Sequence, residues 1–148
     1  MAFAADIYSK EYECSIYCCD ISNEINFPNI TSTTIKQFHK KNSTEMFKHF
    51  ESDQKIDLLH LDGRLQNEDF DLLKNSLTEK TILILDDFEG NEKGVINFIN
   101  LLNNNLISRK SHCLIFPIQD ETKAKYNLLE RSTSGVLIPL KSLLITTQ

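Results

Sequence analysis

Apolar positions recur along the chain with two periods, and the switches between them mark the elements. Residues 1–10 set Ala2, Phe3, Ala5 and Ile7 at helical spacing and predict a helix. Residues 13–21 (ECSIYCCDI) are rich in strand formers and predict a strand with Asp20 near its end. A loop with Pro28 occupies 22–32, a weaker strand 33–39, and a short helix 44–51, with Ser43 as its N-cap. KIDLLHL (55–61) predicts a strand that stops at Asp62-Gly63. The following helix, 67–77, has Phe70, Leu72, Leu73 and Leu77 as apolar positions. TILIL (81–85) is almost unbroken apolar sequence, the pattern of a strand buried on both faces, and Asp86-Asp87 follows it. A helix is predicted over 93–106, a strand over 111–118, and a last extended element over 135–146. Pro139 interrupts that element and argues for an edge strand or a bulge.

Strands alternating with helices imply an α/β fold with a Rossmann-like, mostly parallel sheet and helices on both faces. Only about fifteen residues, with no crossover helix, separate the last two strands, so an antiparallel C-terminal edge hairpin is expected. A length of 148 residues fits a single domain. With 41% hydrophobic and 25% charged residues, four Gly and three Pro, the chain is neither disordered nor collagen-like. The net charge of -5 excludes a broad basic face for nucleic acid; Lys40-Lys41 and Lys123/Lys125 read as solvated surface. No apolar run approaches the ~20 residues that span a bilayer, and MAFAADIYSK has no cationic-then-apolar leader. A cytoplasmic protein without a membrane partner is expected. Cys14, Cys18, Cys19 and Cys113 have neither CxxC nor zinc-finger spacing and read as buried reduced thiols.

In open α/β sheets ligands bind at the carboxyl ends of strands. Four successive predicted strands end in polar residues: Asp20, Asn42-Ser43, Asp62, and Asp86-Asp87. Each alone is an ordinary turn former or helix cap; together on one rim they outline a site. Asp20 can accept hydrogen bonds from a ribose diol through both oxygens, or can form an Asx-turn into Ser22-Asn23. Asp62, Asp86 and Asp87 are hard oxygen donors of the kind Mg²⁺ selects, and such an ion would lower the pKa of a substrate hydroxyl. Without an ion, three carboxylates repel one another. His60 shares the face of Asp62 two residues on, and between leucines it is expected to be packed rather than catalytic. Arg64 suits an anionic substrate group or a solvated loop, and Phe88 a ligand or the core.

The runs IDLLHLDGRLQNEDFDLLKNSL and TILILDDFEGNEKGV resemble the later strands of class I S-adenosylmethionine-dependent methyltransferases. The nearest likeness is the catechol O-methyltransferase-like subgroup, in which an I-D-x-x-H-x-D-G strand precedes a helix and a strand ending D-D. ECSIYCCDIS resembles that family's second strand, and SGVLIPLKSLLIT its closing strand. The resemblance implies S-adenosylmethionine as cofactor, with Mg²⁺ assistance, and O-methylation of a small-molecule substrate: a sugar, a phenol or another hydroxyl compound. Position by position, Asp20 would hold the cofactor ribose, Ile21 would pack on the adenine, and Asn42 and Ser43 would lie near the adenine edge. Asp62 would stand at the methyl-transfer site as catalytic residue and metal ligand, with Asp86 and Asp87 completing the metal site. The family opens with a strand and a glycine-rich loop, whereas this sequence has no glycine before Gly63. Residues 1–148 therefore read as one N-terminally incomplete methyltransferase-like domain. In it the strands flanking the missing one either pair directly or leave an edge that promotes a homo-oligomer.

Two alternatives remain at this point. One is a catalytically inactive methyltransferase remnant without the glycine-rich cofactor loop. The other is a phospho-receiver domain, since ILILDDF resembles a receiver's first strand. It lies too late in the chain, with about 60 residues after Asp87 where such a domain has about 110.

Overall fold

The computed structural model describes residues 15–20, 34–39, 41–107, 111–117 and 133–139. The expected helix at 1–10, Ile21, the loop at 22–32 and the end of the last element lie outside the described residues. Two compact units divide the chain, Met1–Phe50 and Glu51–Gln148.

In the first unit β1 (Ser15–Asp20) and β2 (Thr34–His39) pair in parallel, with Asp20 opposite His39. Both carboxyl ends therefore point to one edge. The helix α1 (Ser43–Phe47) begins just beyond β2, and its N-cap is Asn42 rather than Ser43. Asn42 Oδ1 accepts from Glu45 N at 3.0 Å and Glu45 Oε2 accepts from Asn42 N at 3.2 Å, a reciprocal pair that satisfies two backbone donors. The Glu45 carboxyl is held below its ordinary range by Lys41 Nζ at 2.8 Å and then by the Asn42 N–H. Phe50 packs edge-on against Phe47 (5.6 Å) and Tyr17 (4.7 Å), which ties the helix end to β1. Cys18 and Cys19 are half-buried, and burial pushes the Cys18 thiol up. Asn42→Ala is expected to lower the chain's urea midpoint by the equivalent of about 1 kcal/mol, with Asn42→Ser close to wild type. Equal midpoints for all three would contradict the cap.

The second unit holds a four-stranded sheet in the order β3-β4-β6-β5, from β3 (Leu58–Leu61), β4 (Ile82–Leu85), β5 (Ser111–Pro117) and β6 (Thr133–Pro139). β3 and β4 run parallel; β6 is antiparallel to both β4 and β5. The sheet is therefore mixed rather than mostly parallel. The final hairpin forms as expected, but it folds back so that β6 lies inside and β5 takes the edge. Pro139 is tolerated in this inner strand because β4 pairs only with Gly135 to Leu137, so Pro139 meets no β4 partner.

Strand alternation places Leu59, Leu83 and Leu137 in one cross-strand row, and Leu61, Leu85 and Gly135 in the next. All six are buried. Leu83 and Leu85 together with Leu73 and Leu101 are almost wholly enclosed, each worth roughly 1.5–3 kcal/mol in transfer free energy. The other face is more open: Ile82 and Ile84 are half-buried and Leu58 is exposed, so β4 is not buried equally on both sides.

Helix α2 (Asn67–Leu73) is shorter than its apolar pattern. The Ser76 carbonyl turns out to accept Ile56 N at 2.9 Å and the Asn75 carbonyl accepts Lys55 Nζ at 2.6 Å, which redirects the chain toward the sheet. Helix α3 (Lys93–Asn103) packs on β4. It ends where Asn105 adopts φ 54°, with Asn105 N bonded to Leu102 O and Leu106 N to Leu101 O, a Schellman closure that asparagine can make. Among the described residues no helix is long and apolar enough to cross a membrane.

Candidate functional site

Because β3 and β4 are parallel and in register, Asp62 and Asp86-Asp87 leave the sheet at the same edge, and Asp86 N donates to Leu61 O at 2.9 Å. The antiparallel β6 begins at that edge, where Phe88 N donates to Thr133 O at 2.7 Å. Three carboxylates and Ser134 thus converge on one rim of the Glu51–Gln148 unit.

The rim divides into two clusters. In the first, Lys93 Nζ lies 2.7 Å from Asp62 Oδ1 and 3.0 Å from Asp87 Oδ2. Hydrogen bonds to Asp62 and then Asp87 hold the Lys93 pKa far above its ordinary value, against the opposing effect of burial. Lys93 is therefore an ammonium at any working pH. In the second cluster, Asp86 Oδ2 is 3.1 Å from His60 Nε2, and Asp86 Oδ1 accepts a short 2.5 Å hydrogen bond from Ser134 Oγ.

Local backbone geometry builds both clusters. Asp87 adopts φ 53°, a left-handed conformation that Asp tolerates better than most residues. Its carbonyl accepts Gly94 N at 3.1 Å. Gly94 lets α3 start directly against this turn: a Cβ there would meet Asp86 O and, at 2.8 Å, Asp87 O. Lys93 is thereby delivered from the first turn of α3 to the strand ends. One turn on, buried Asn97 accepts Leu65 N at 3.0 Å through Oδ1 and donates Nδ2 to Gly63 O at 2.7 Å, which clamps the loop after Asp62.

The expected metal set is thus separated. Asp62 and Asp87 share an ammonium, while Asp86 is turned to His60 and Ser134. Among the described residues no three His, Cys, Asp or Glu side chains gather to hold a metal ion. Glu89, in the turn after Asp87, has Oε2 buried without a hydrogen-bond partner among the described residues. His60 is not packed between leucines as expected. Its neighbours Leu59 and Leu61 point to the buried face and His60 to the open one, where its side chain is 31% exposed. Phe88 is half-buried and packs edge-on against Phe98 (5.7 Å) and over Gly135. Arg64 is exposed in the loop after β3.

In the Met1–Phe50 unit, Asp20 is exposed at the carboxyl end of β1. Asn42 and half-buried Ser43 stand at the same end of the β1–β2 pair, with Asn42 Oδ1 committed to the helix cap. Lys93 and Asn97 do not stand out in the sequence. Their signal is the spacing of four on a helix that is otherwise read by its apolar positions.

No curated protein and no solved structure matches the chain. A family model described as a methyltransferase domain matches residues 1–88, more than half of the 148 residues. That span includes Asp20, Asn42-Ser43, Asp62 and Asp86-Asp87, which end or follow the four strands described within it. The mixed sheet flanked by helices is consistent with an α/β methyltransferase fold, and the chain belongs to the methyltransferase domain family.

Proposed function

We propose that the chain is an S-adenosylmethionine-dependent O-methyltransferase acting on a small hydroxyl compound. Within that family, the observation that carries O-methylation is the His60–Asp86–Ser134 cluster at the strand ends. The cofactor, when bound, supplies a methyl group on a sulfonium centre. In the Met1–Phe50 unit, Asp20 offers its carboxylate oxygens to the ribose diol. Ile21, next in sequence, is assigned to the adenine face. Ser43 and the Asn42 amide nitrogen are assigned to the adenine edge, since the Asn42 oxygen already caps α1.

In the Glu51–Gln148 unit, His60 Nε2 lies 3.1 Å from Asp86 Oδ2; a carboxylate can only accept, so the ring proton is assigned to Nε2 and the role of base to Nδ1. An acceptor hydroxyl bound here would give its proton to Nδ1 as its oxygen becomes the nucleophile toward the methyl group the cofactor would supply, the sulfonium sulfur leaving as a neutral thioether. Asp86 steadies the resulting imidazolium, and Ser134 fixes the Asp86 carboxylate through its other oxygen. Asp62 orients the acceptor hydroxyl. Methyl transfer is an in-line displacement, so positioning accounts for most of the rate. The three aspartates as arranged do not fit a divalent ion, because an ammonium already lies between two of them and the third is bound elsewhere. No step is assigned to a metal.

Incubation with methyl-labelled S-adenosylmethionine and a panel of phenols and sugars is expected to label at least one hydroxyl acceptor. His60→Gln is expected to lower turnover by roughly 10²–10⁴-fold while cofactor binding persists. Labelling that survives His60→Gln unchanged would overturn the role of His60. Cofactor binding without transfer to any acceptor would favour the inactive remnant.

A further inference from the structure

The Lys93 cluster carries a consequence for the chemistry of the rim. Two carboxylates from different strand ends, Asp62 and Asp87, each reach the same Nζ within 3.0 Å. Two packing features bring the three groups together: the close start of α3 permitted by Gly94, which delivers Lys93, and the Asn97 hydrogen bonds to the loop after Asp62. The two carboxylates therefore meet with one positive charge between them, in the position where a divalent ion would have to bind both. An ion entering there would have to displace the ammonium or lie beside it, and like charges repel.

We propose that Lys93 is a built-in cation that takes the place of a bound metal, so that the rim of this chain is organised without a divalent ion. It fixes Asp62 and Asp87 and leaves Asp86 free of metal ligation to hold His60. The functional consequence rests on the methyltransferase reading, but the cation itself can be tested without it.

The test is Mn²⁺ titration of the full chain followed by electron paramagnetic resonance, with wild type, Lys93→Ala, Lys93→Arg and Asp62→Asn. Wild type and Lys93→Arg are expected to show no saturable Mn²⁺ binding below about 1 mM, the weak end of oxygen-ligand sites. Lys93→Ala is expected to bind Mn²⁺ roughly tenfold tighter or more, because the two carboxylates then lack their counter-charge. Saturable Mn²⁺ binding by wild type that disappears in Asp62→Asn would overturn the proposal, and so would Lys93→Ala binding no better than wild type. If Lys93→Ala does not fold, the wild-type chain decides alone. Its Lys93 ¹⁵Nζ resonance is expected to stay in place on addition of Mg²⁺, and its displacement would overturn the proposal. Failure of the methyltransferase reading would be seen separately, as absence of cofactor binding with these metal results unchanged.

Discussion

Gly94→Ala is expected to destabilise the chain by about 2–3 kcal/mol and to disturb the Lys93 bridge at the same time. The added methyl group would point at backbone, at Asp86 O and Asp87 O, and not at the far end of a flexible side chain. The turn can retreat only by moving Asp86 and Asp87, and with them the hydrogen bonds to Ser134 and His60. The other outcome is that α3 retreats and breaks the bond from Gly94 N to Asp87 O. Either way strand ends and helix start separate. Gly63→Ala is the control, because a Cβ at Gly63 meets nothing within 4 Å. It should leave stability within about 0.5 kcal/mol of wild type. Urea denaturation of the two variants checks this, and indistinguishable midpoints would show that α3 does not start so close to the turn.

Asn97→Leu is the second large effect, with an expected loss of about 2–4 kcal/mol. Leucine has similar volume but neither donor nor acceptor, so Leu65 N–H and Gly63 C=O lose their partner together. An unsatisfied buried backbone group costs about 1–3 kcal/mol. Asn97→Asp separates the two bonds. Its carboxylate still accepts from Leu65 N but faces the Gly63 carbonyl, and its charge is buried. The introduced carboxyl would titrate higher in the folded chain than in the unfolded one, where its value is about 4. The penalty is therefore full at neutral pH and shrinks as pH falls through the folded value, since the protonated acid can donate to Gly63 O. Urea midpoints at pH 7 and pH 5 test the sign. A deficit that grows on acidification would contradict the clamp.

Much of this architecture is visible in the residues. The strands at KIDLLHL and TILIL, the helices between them and the closing hairpin all follow from period and turn chemistry, as does the emergence of Asp62 and Asp86-Asp87 at one edge. Other features are not visible, for separate reasons. The place of β6 between β4 and β5 is a pairing choice between distant segments, and no local pattern encodes it. The exposure of His60 depends on which face of β3 is covered, and flanking leucines look the same in either case. Lys93 and Asn97 reach the rim only because α3 begins against the β4 turn, a packing fact signalled by one glycine. The carboxylates were legible as a group, but their division between an ammonium and a histidine was not.

The proposed engagement of S-adenosylmethionine by this methyltransferase-family chain is tested most directly by calorimetric titration of S-adenosylhomocysteine into the purified chain and its Asp20→Ala variant. Saturable binding in the micromolar range, lost in Asp20→Ala while the variant stays folded, is the predicted result. No binding by a folded wild-type chain, or equal binding by both, would contradict it.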